Sequence, residues 1–145
     1  MARNQFTKEE KGQIVQAIKS AESLTSGEIQ VHLENHCKMD VMDRAAEIFA
    51  ILKMHKTKLR NGVLFYMAIK DHKFAILGDE GINEIVPKNF WDEIKETMML
   101  HFSQEHIIDG LVQGITMAGE ALKENFPIQE DDENELPDEI SFGDN

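Results

Sequence analysis

The stretch RNGVLFYMAIKDHKFAILGDEGI, residues 60–82, decides the fold of this chain. Two continuous apolar runs, VLFYMAI (63–69) and FAIL (74–77), lie on either side of the polar segment KDHK. Each run is too short for a helix and is typical of a strand buried on both faces. The short polar connection predicts a tight antiparallel hairpin. Because both faces of these strands must be covered, a helical layer is expected on each side of the sheet.

The flanking segments provide those helices and a further strand. EIQVHLE (28–34) alternates apolar and polar residues, which predicts a strand with one well-buried face. Thr7 and Glu10 form a capping box at the start of the first helix. Apolar residues at helical spacing predict helices over residues 8–24, 42–52, 88–103 and 105–124. The order α-β-α-β-β-α-α indicates an α/β fold, a three-layer αβα sandwich with a small mixed β-sheet.

The acidic charge of the chain is concentrated at one end. We expect one domain over residues 1–126 and an acidic C-terminal tail over 127–145. The formal net charge is −12, and residues 124–145 contain nine acidic side chains and no Lys or Arg. This distribution argues against binding to nucleic acid or to an anionic membrane, and favours divalent metal ions or a basic protein surface as partners. Two alternatives stay open for the tail, docking through apolar residues such as Ile140 and Phe142, or disorder.

The sequence also bears on the compartment in which the chain works. No apolar run approaches the roughly 20 residues of a membrane-spanning helix. The N-terminal segment MARNQFTKEEKGQ lacks the apolar core of a signal peptide. We therefore expect a cytoplasmic protein. The single cysteine, Cys37, excludes an internal disulfide and a multi-cysteine metal site.

Polar and small residues flank the predicted strands at one edge of the sheet. A right-handed parallel crossover from the first strand to the second would bring residues 25–28, 60–62 and 78–81 to the same edge. We name these three segments the loop edge. Three loops that converge in this way form either a binding site or a set of ordinary turns.

The loop edge contains candidate metal ligands. Asp79 and Glu80 carry the hard oxygen atoms that Ca²⁺ or Mg²⁺ prefers, and Glu28 or the Asn61 carbonyl is a candidate to complete the coordination shell. The alternative is that Asp79 only caps the helical turn that follows it. Both interpretations stay open at the level of sequence.

Two further groups of residues are weaker candidates. Arg60 and Ser26 are possible phosphate contacts, since an arginine can bind phosphate in a bidentate manner, but Ser26 has no evident base near it in sequence. His32, His36 and Cys37 would suit a transition metal. The favoured interpretation of this second group is two surface histidines and a packed thiol, because no second cluster has ligand spacing.

The segments SGEIQVHLE and RNGVLFYMAIKDHKFAILGDEGI, followed by a helix with Phe90-Trp91, resemble the TPM domain. This family is also described as the thylakoid-lumen and photosystem-repair phosphatase domain. The resemblance extends from about residue 7 to residue 125, and the tail resembles that of the stand-alone bacterial branch. It implies an αβα sandwich, an association with divalent metal, calcium in particular, and, in a plant-lumen branch, acid phosphatase activity.

The chain departs from the pattern of its relatives at two places. Relatives often carry an Asp before the first helix, whereas RNQFT has none, and many have an acidic residue where this chain has Arg60. Both departures weaken the transfer of phosphatase chemistry to this chain. The missing Asp and the lack of an acid–base pair favour a divalent-cation-binding (Ca²⁺ or Mg²⁺) regulatory or interaction module over an enzyme. The alternative is a metal-assisted acid phosphatase that hydrolyses phosphomonoesters. A third hypothesis is a structural partner whose acidic tail contacts a basic surface, and the sequence leaves open whether the chain is an enzyme.

Overall fold

A four-stranded mixed sheet forms the middle layer in the computed structural model, which describes residues 2–128 and 138–143. The spatial order of the strands is β3-β2-β1-β4. The strands β1 and β2 are parallel, β2 and β3 form the predicted antiparallel hairpin, and β4 runs parallel to β1. Their bounds are β1 (Glu28–Glu34), β2 (Gly62–Ala68), β3 (Lys73–Gly78) and β4 (Ser141–Phe142).

The described residues form five α-helices: the four predicted ones, with small differences at their ends, and a short one that begins after Asp79. They are α1 (Lys8–Glu22), α2 (Val41–Ile51), α3 (Glu80–Asn83), α4 (Asp92–Ser103) and α5 (Ile107–Leu122). The capping box of α1 is formed by two bonds, from Glu10 N to Thr7 Oγ1 (3.0 Å) and from Thr7 N to Glu10 Oε1 (2.8 Å). Hydrogen-bonded turns after Pro87 delay the start of α4 to Asp92, rather than residue 88.

The helices cover the sheet on both faces, as a three-layer sandwich requires. Side chains of β2 alternate between the two layers: Val63 and Phe65 join the core formed with α1, α4 and α5, while Leu64 and Tyr66 pack against α2. All seven residues of β2 are buried, as the continuous apolar run predicts. The αβα architecture is therefore confirmed.

The burial of β1 and of β3 differs from the burial that the sequence predicts for these two strands. The prediction of one buried face for β1 is wrong, because all seven of its residues are buried. This strand lies between β2 and β4, and α2 covers the face that carries its polar side chains. Conversely, β3 is an outer strand, so Lys73 is exposed and Phe74 and Leu77 are only half-buried.

Part of the C-terminal segment docks on the domain. β4 pairs with His32 and Leu33 of β1, and the apolar side chains of Ile140 and Phe142 pack against the larger core. For these residues the docking alternative is confirmed. The acidic run over 130–137, with Leu136 and Pro137, lies outside the described residues. Among the helices that are described, none has the length and apolar character needed to cross a membrane.

Candidate functional site

The three segments of the loop edge lie side by side. Parallel pairing places Glu28 opposite Gly62, and antiparallel pairing places Gly78 opposite Val63. The ends of β1 and β3 therefore flank the start of β2. This is the convergence expected from a parallel crossover followed by a hairpin.

Main-chain hydrogen bonds join the second and third segments. Asp79 N donates to Gly62 O at 2.9 Å, and Gly81 N donates to Arg60 O at the same distance. A Cβ on Gly81 would lie 2.2 Å from the carbonyl oxygen of Leu59, so only glycine fits at this position. The close approach holds the start of α3 against the loop that carries Arg60.

Arg60 and Asp79 form a bidentate ion pair at the centre of the loop edge. Arg60 Nε donates to Asp79 Oδ2 at 2.8 Å, and Nη2 donates to Oδ1 at 2.9 Å. The third guanidinium nitrogen, Nη1, donates to Glu80 Oε1 at 3.1 Å. The Asp79 side chain is 5% exposed and that of Arg60 is 39% exposed. The hydrogen bonds to Asp79 raise the pKa of Arg60.

Asp79 also caps α3, as the alternative interpretation predicts. Its Oδ1 accepts a hydrogen bond from Glu80 N at 2.8 Å. Arg60 itself has a φ of 51°, in the left-handed region that non-glycine residues adopt infrequently. The capping role is confirmed, while the metal-binding role stays a prediction.

The other candidates of the loop edge lie at the β1 side. Asn61 O accepts a hydrogen bond from Glu28 N at 3.3 Å, and Asn61 Nδ2 lies 3.5 Å from Ser26 Oγ. Glu28 and Asn61 are both buried, at 4% and 2% exposure. The structure thus divides the predicted residues into two neighbouring groups, one around Arg60 and one around Asn61. Within residues 2–128 and 138–143, no three His, Cys, Asp or Glu side chains are grouped so that they could hold a metal ion.

A pair of carboxyl groups lies at the end of α1, which the sequence analysis did not single out. Glu22 Oε2 accepts a hydrogen bond from Ile29 N at 2.9 Å, and the Glu22 side chain is hydrogen-bonded to Asp138. Burial, together with Asp138 and the nearby charge of Glu28, raises the pKa of Glu22 from 4.5 to about 9. Glu22 is therefore protonated at neutral pH.

A second polar cluster that the sequence analysis missed surrounds Glu34 at the far end of β1. The fully buried Glu34 accepts two hydrogen bonds from Arg44, through Nε and Nη2, each 2.9 Å long. Tyr66 donates its hydroxyl to Glu34, and His32 Nε2 lies 3.3 Å from Glu34 Oε1. His32 Nδ1 in turn contacts Ser141 Oγ at 2.8 Å, which connects the cluster to β4.

The electrostatics of this cluster keep Glu34 ionised. Burial alone would raise the pKa of Glu34, but the hydrogen bonds from Arg44 and Tyr66 lower it below its usual value. Burial lowers the pKa of His32 and raises that of Tyr66, so both groups are neutral at pH 7. The network therefore contains one anion, Glu34, and one cation, Arg44, and loss of either would leave the other without its counter-charge.

The histidine and cysteine candidates are not grouped around a common point. His32 belongs to the Glu34 cluster and is buried, so its expected position at the surface is wrong. His36 is exposed and contacts Asp71 Oδ1 at 2.9 Å, and Cys37 is buried, as expected of a packed thiol. The alternating pattern of β1 hid this cluster because an alternating strand is expected to turn its polar face to solvent. The sequence signal was a set of four polar side chains on one face of the strand, Glu28, Gln30, His32 and Glu34.

The family is decided by a match to the TPM domain over residues 2–121. This chain belongs to the TPM domain family. The match covers α1 to α4, all of α5 except Leu122, and all of the loop edge, so the sequence-based recognition is confirmed. No curated protein matches this TPM domain.

Two solved structures are similar to this TPM domain. The BA42 protein from the psychrophilic bacterium Bizionia argentinensis has 51% sequence identity and a TM-score of 0.91, with 95% of each chain covered. The N-terminal domain of the cg2496 protein from Corynebacterium glutamicum has 14% identity and a TM-score of 0.64, with 81% of this chain and 74% of that chain covered. The second similarity supports the fold alone.

Proposed function

We propose that this TPM domain binds a divalent cation, Ca²⁺ or Mg²⁺, at the loop edge and works as a regulatory or interaction module. The observation that carries the proposal is the convergence of the Asp79 and Glu80 carboxylates on one cationic group, the Arg60 guanidinium. Two acidic side chains from one turn therefore bind the same positively charged group.

The donor atoms at this edge suit a hard cation. Asp79 and Glu80 would hold the ion through carboxylate oxygens, and the Asn61 carbonyl and Glu28 belong to the adjacent segment. Both Asp79 oxygens accept hydrogen bonds from Arg60, so a metal ion must compete with the guanidinium for them. The proposed site is thus an exchange site, in which one cation replaces another.

Arg60 can leave Asp79 by moving into solvent. Its side chain is 39% exposed, and its second partner, Glu80, is 63% exposed, so the outer half of the pair is solvated and contributes little to stability. A buried carboxylate needs a counter-charge, and a bound divalent ion would provide it when the guanidinium leaves. The exchange therefore avoids leaving Asp79 buried and unpaired.

The exchange gives the module a physical means of regulation. Metal binding would release Arg60 to solvent, where it would be free to contact an acidic group on a partner. Bound metal would then raise the affinity of the chain for a partner that holds Arg60 away from Asp79. By linkage, the bound partner would raise the affinity of the site for the metal by the same factor. A metal-sensitive interaction is the function that this arrangement supports best.

The phosphatase alternative has less support in the geometry. The Arg60 guanidinium donates to two carboxylates, and Ser26 Oγ lies near an amide nitrogen of Asn61. The Arg60 guanidinium is therefore not available to bind a phosphate, and Ser26 has no neighbouring base among the described residues to activate it as a nucleophile. We keep phosphomonoester hydrolysis as an activity to be assayed once metal binding has been measured.

An NMR titration of the metal-free 145-residue chain with CaCl₂ and then MgCl₂ tests the proposal. We expect saturable amide shifts over residues 26–28, 60–62 and 78–82, and their loss in Asp79→Asn. Because Arg60 competes with the metal, Arg60→Gln should bind it more tightly than the unmodified chain. Glu96→Gln, which removes an exposed carboxylate on α4, is the matched control and should leave the titration unchanged.

Residue-specific shifts distinguish the loop edge from the acidic tail. Shifts confined to residues 130–139, or equal affinity in Asp79→Asn and the unmodified chain, would refute the proposed site. An Arg60→Gln variant that binds no better than the unmodified chain would contradict the exchange mechanism.

A further inference from the structure

A cavity of about 540 Å³ lies at the opposite end of β2 from the loop edge, between the β2–β3 hairpin and the junction of α4 and α5. We name it the hairpin pocket. Its inner surface includes Met67 and Ile69, which are 3% and 7% exposed, and its walls include Phe74, Phe102 and Ile107. The volume lies within the range of about 300 to 1,000 Å³ that is typical of small-molecule sites. This pocket is independent of the proposed metal site.

The aromatic wall of the hairpin pocket is held in place by its neighbours. The rings of Phe74 and Phe102 pack edge to face, with centroids 5.1 Å apart and an interplanar angle of 81°. Gly110 of α5 leaves room for the Phe102 ring, because a Cβ there would lie 2.5 Å from Phe102 Cε1. The apolar wall is therefore formed before any ligand binds.

The hairpin turn at the rim is also fixed. Lys70 N donates to Asn35 O at 2.9 Å, and the Asp71 carboxylate accepts a hydrogen bond from Cys37 N at 2.7 Å. His72 has a φ of 55°, which completes the tight turn into β3. These contacts hold the exposed Lys70 and His72 at the rim of the pocket.

The rim carries one ammonium group, one imidazole and one carboxylate. Lys70 and His72 lie on the hairpin, while Ser103 and Glu105 lie where α4 ends. Met99, which is 59% exposed, extends the apolar lining outward. An apolar cavity beside an ammonium group and an imidazole complements a molecule with an apolar chain and one carboxylate.

We propose that the hairpin pocket binds an amphipathic monocarboxylate, of the class of medium-chain fatty acids. The alkyl chain contacts Met67, Phe74 and Phe102, and the carboxylate pairs with Lys70 and accepts a hydrogen bond from His72. Glu105 opposes this charge and limits the affinity. Removal of the negative charge of Glu105 therefore tests the sign of the charge on the ligand.

Titration of the 145-residue chain with decanoate, below the micelle-forming concentration of decanoate, tests the proposal. The amide signals of Met67, Phe74 and Phe102, together with the Cε methyl signal of Met67, should shift saturably. Decyltrimethylammonium, with the same chain and the opposite charge, should bind about tenfold more weakly or not at all. Decanol should fall between the two.

Variants at exposed positions test the site without disturbing the core. Met99→Glu places a negative charge in the lining and should weaken decanoate binding about tenfold or more. Leu100→Glu, at the next and equally exposed position outside the lining, is the matched control and should bind like the unmodified chain. Lys70→Gln should weaken decanoate but not decanol, and Glu105→Gln should strengthen decanoate.

Three results would overturn the proposal. One is the absence of saturable shifts at the pocket, and another is equal binding of decanoate and decyltrimethylammonium. The third is equal loss of binding in Met99→Glu and Leu100→Glu. Each would show that the cavity does not select an amphipathic carboxylate.

Discussion

Replacement of Arg44 by methionine should destabilise this TPM domain far more than a change at a surface residue. Glu34 is fully buried, and Arg44, whose side chain is only 27% exposed, is the cation that neutralises it. Removal of one partner from such a pair costs about 3 to 5 kcal/mol, because the remaining charge is buried without compensation. Tyr66 and His32 still contact Glu34, so we expect the lower end, about 3 kcal/mol.

Urea unfolding measures this loss directly. With an m-value of about 2 kcal/mol/M, a loss of about 3 kcal/mol lowers the unfolding midpoint by about 1.5 M. Glu47→Gln is the matched control, since it removes only the exposed partner of Arg44, at 3.0 Å and 51% exposure. That pair is solvated, so the control should lose less than about 1 kcal/mol.

The pH dependence provides a second readout for Arg44→Met. In the unmodified chain the folded-state pKa of Glu34 is lowered, so its stabilising contribution exists above its unfolded pKa and is lost as the pH falls through the folded pKa. Without Arg44, burial dominates and the pKa of Glu34 should rise. The variant should then gain stability as the pH falls from 7 to 5. An Arg44→Met variant that resembles Glu47→Gln in both midpoint and pH profile would refute the assignment of Glu34 as a buried, Arg44-dependent anion.

Three further predictions concern single residues. The folded-state pKa of Glu22 is raised from 4.5 to about 9, so its contribution to the free energy of unfolding is complete below its unfolded pKa and is lost as the pH rises through about 9. The unmodified chain should therefore lose stability between pH 5 and 9. Glu22→Gln should abolish that loss, whereas Glu9→Gln, at an exposed position, should not. Gly81→Ala should lower the melting temperature by the equivalent of about 2 to 4 kcal/mol, because its Cβ meets a carbonyl 2.2 Å away, while Gly12→Ala, with nothing within 4 Å, should be neutral or stabilising. Asp40→Ala should cost about 1 kcal/mol in chemical denaturation, through loss of the N-cap of α2, and an unchanged midpoint would contradict that role.

The sequence alone predicted the architecture because its signals are local and agree with one another. The two apolar runs within residues 60–82 require a hairpin that is covered on both faces, and helical spacing on either side provides the covering layers. The capping box of α1 and the convergence of the loop edge follow from short-range chemistry and chain handedness. The residues that resemble the TPM family lie in the same segments.

Only the tertiary structure decided how the polar groups pair. Arg60 and Asp79 are 19 residues apart, Glu34 and Tyr66 are 32 apart, and no local pattern specifies either contact. The alternation of β1 predicted a solvated polar face, but the packing of α2 and β4 buried that face and required Arg44 as a counter-ion. Periodicity determines which side chains share a face. The pairing of layers determines whether that face meets water, and therefore where this protein must place its charges.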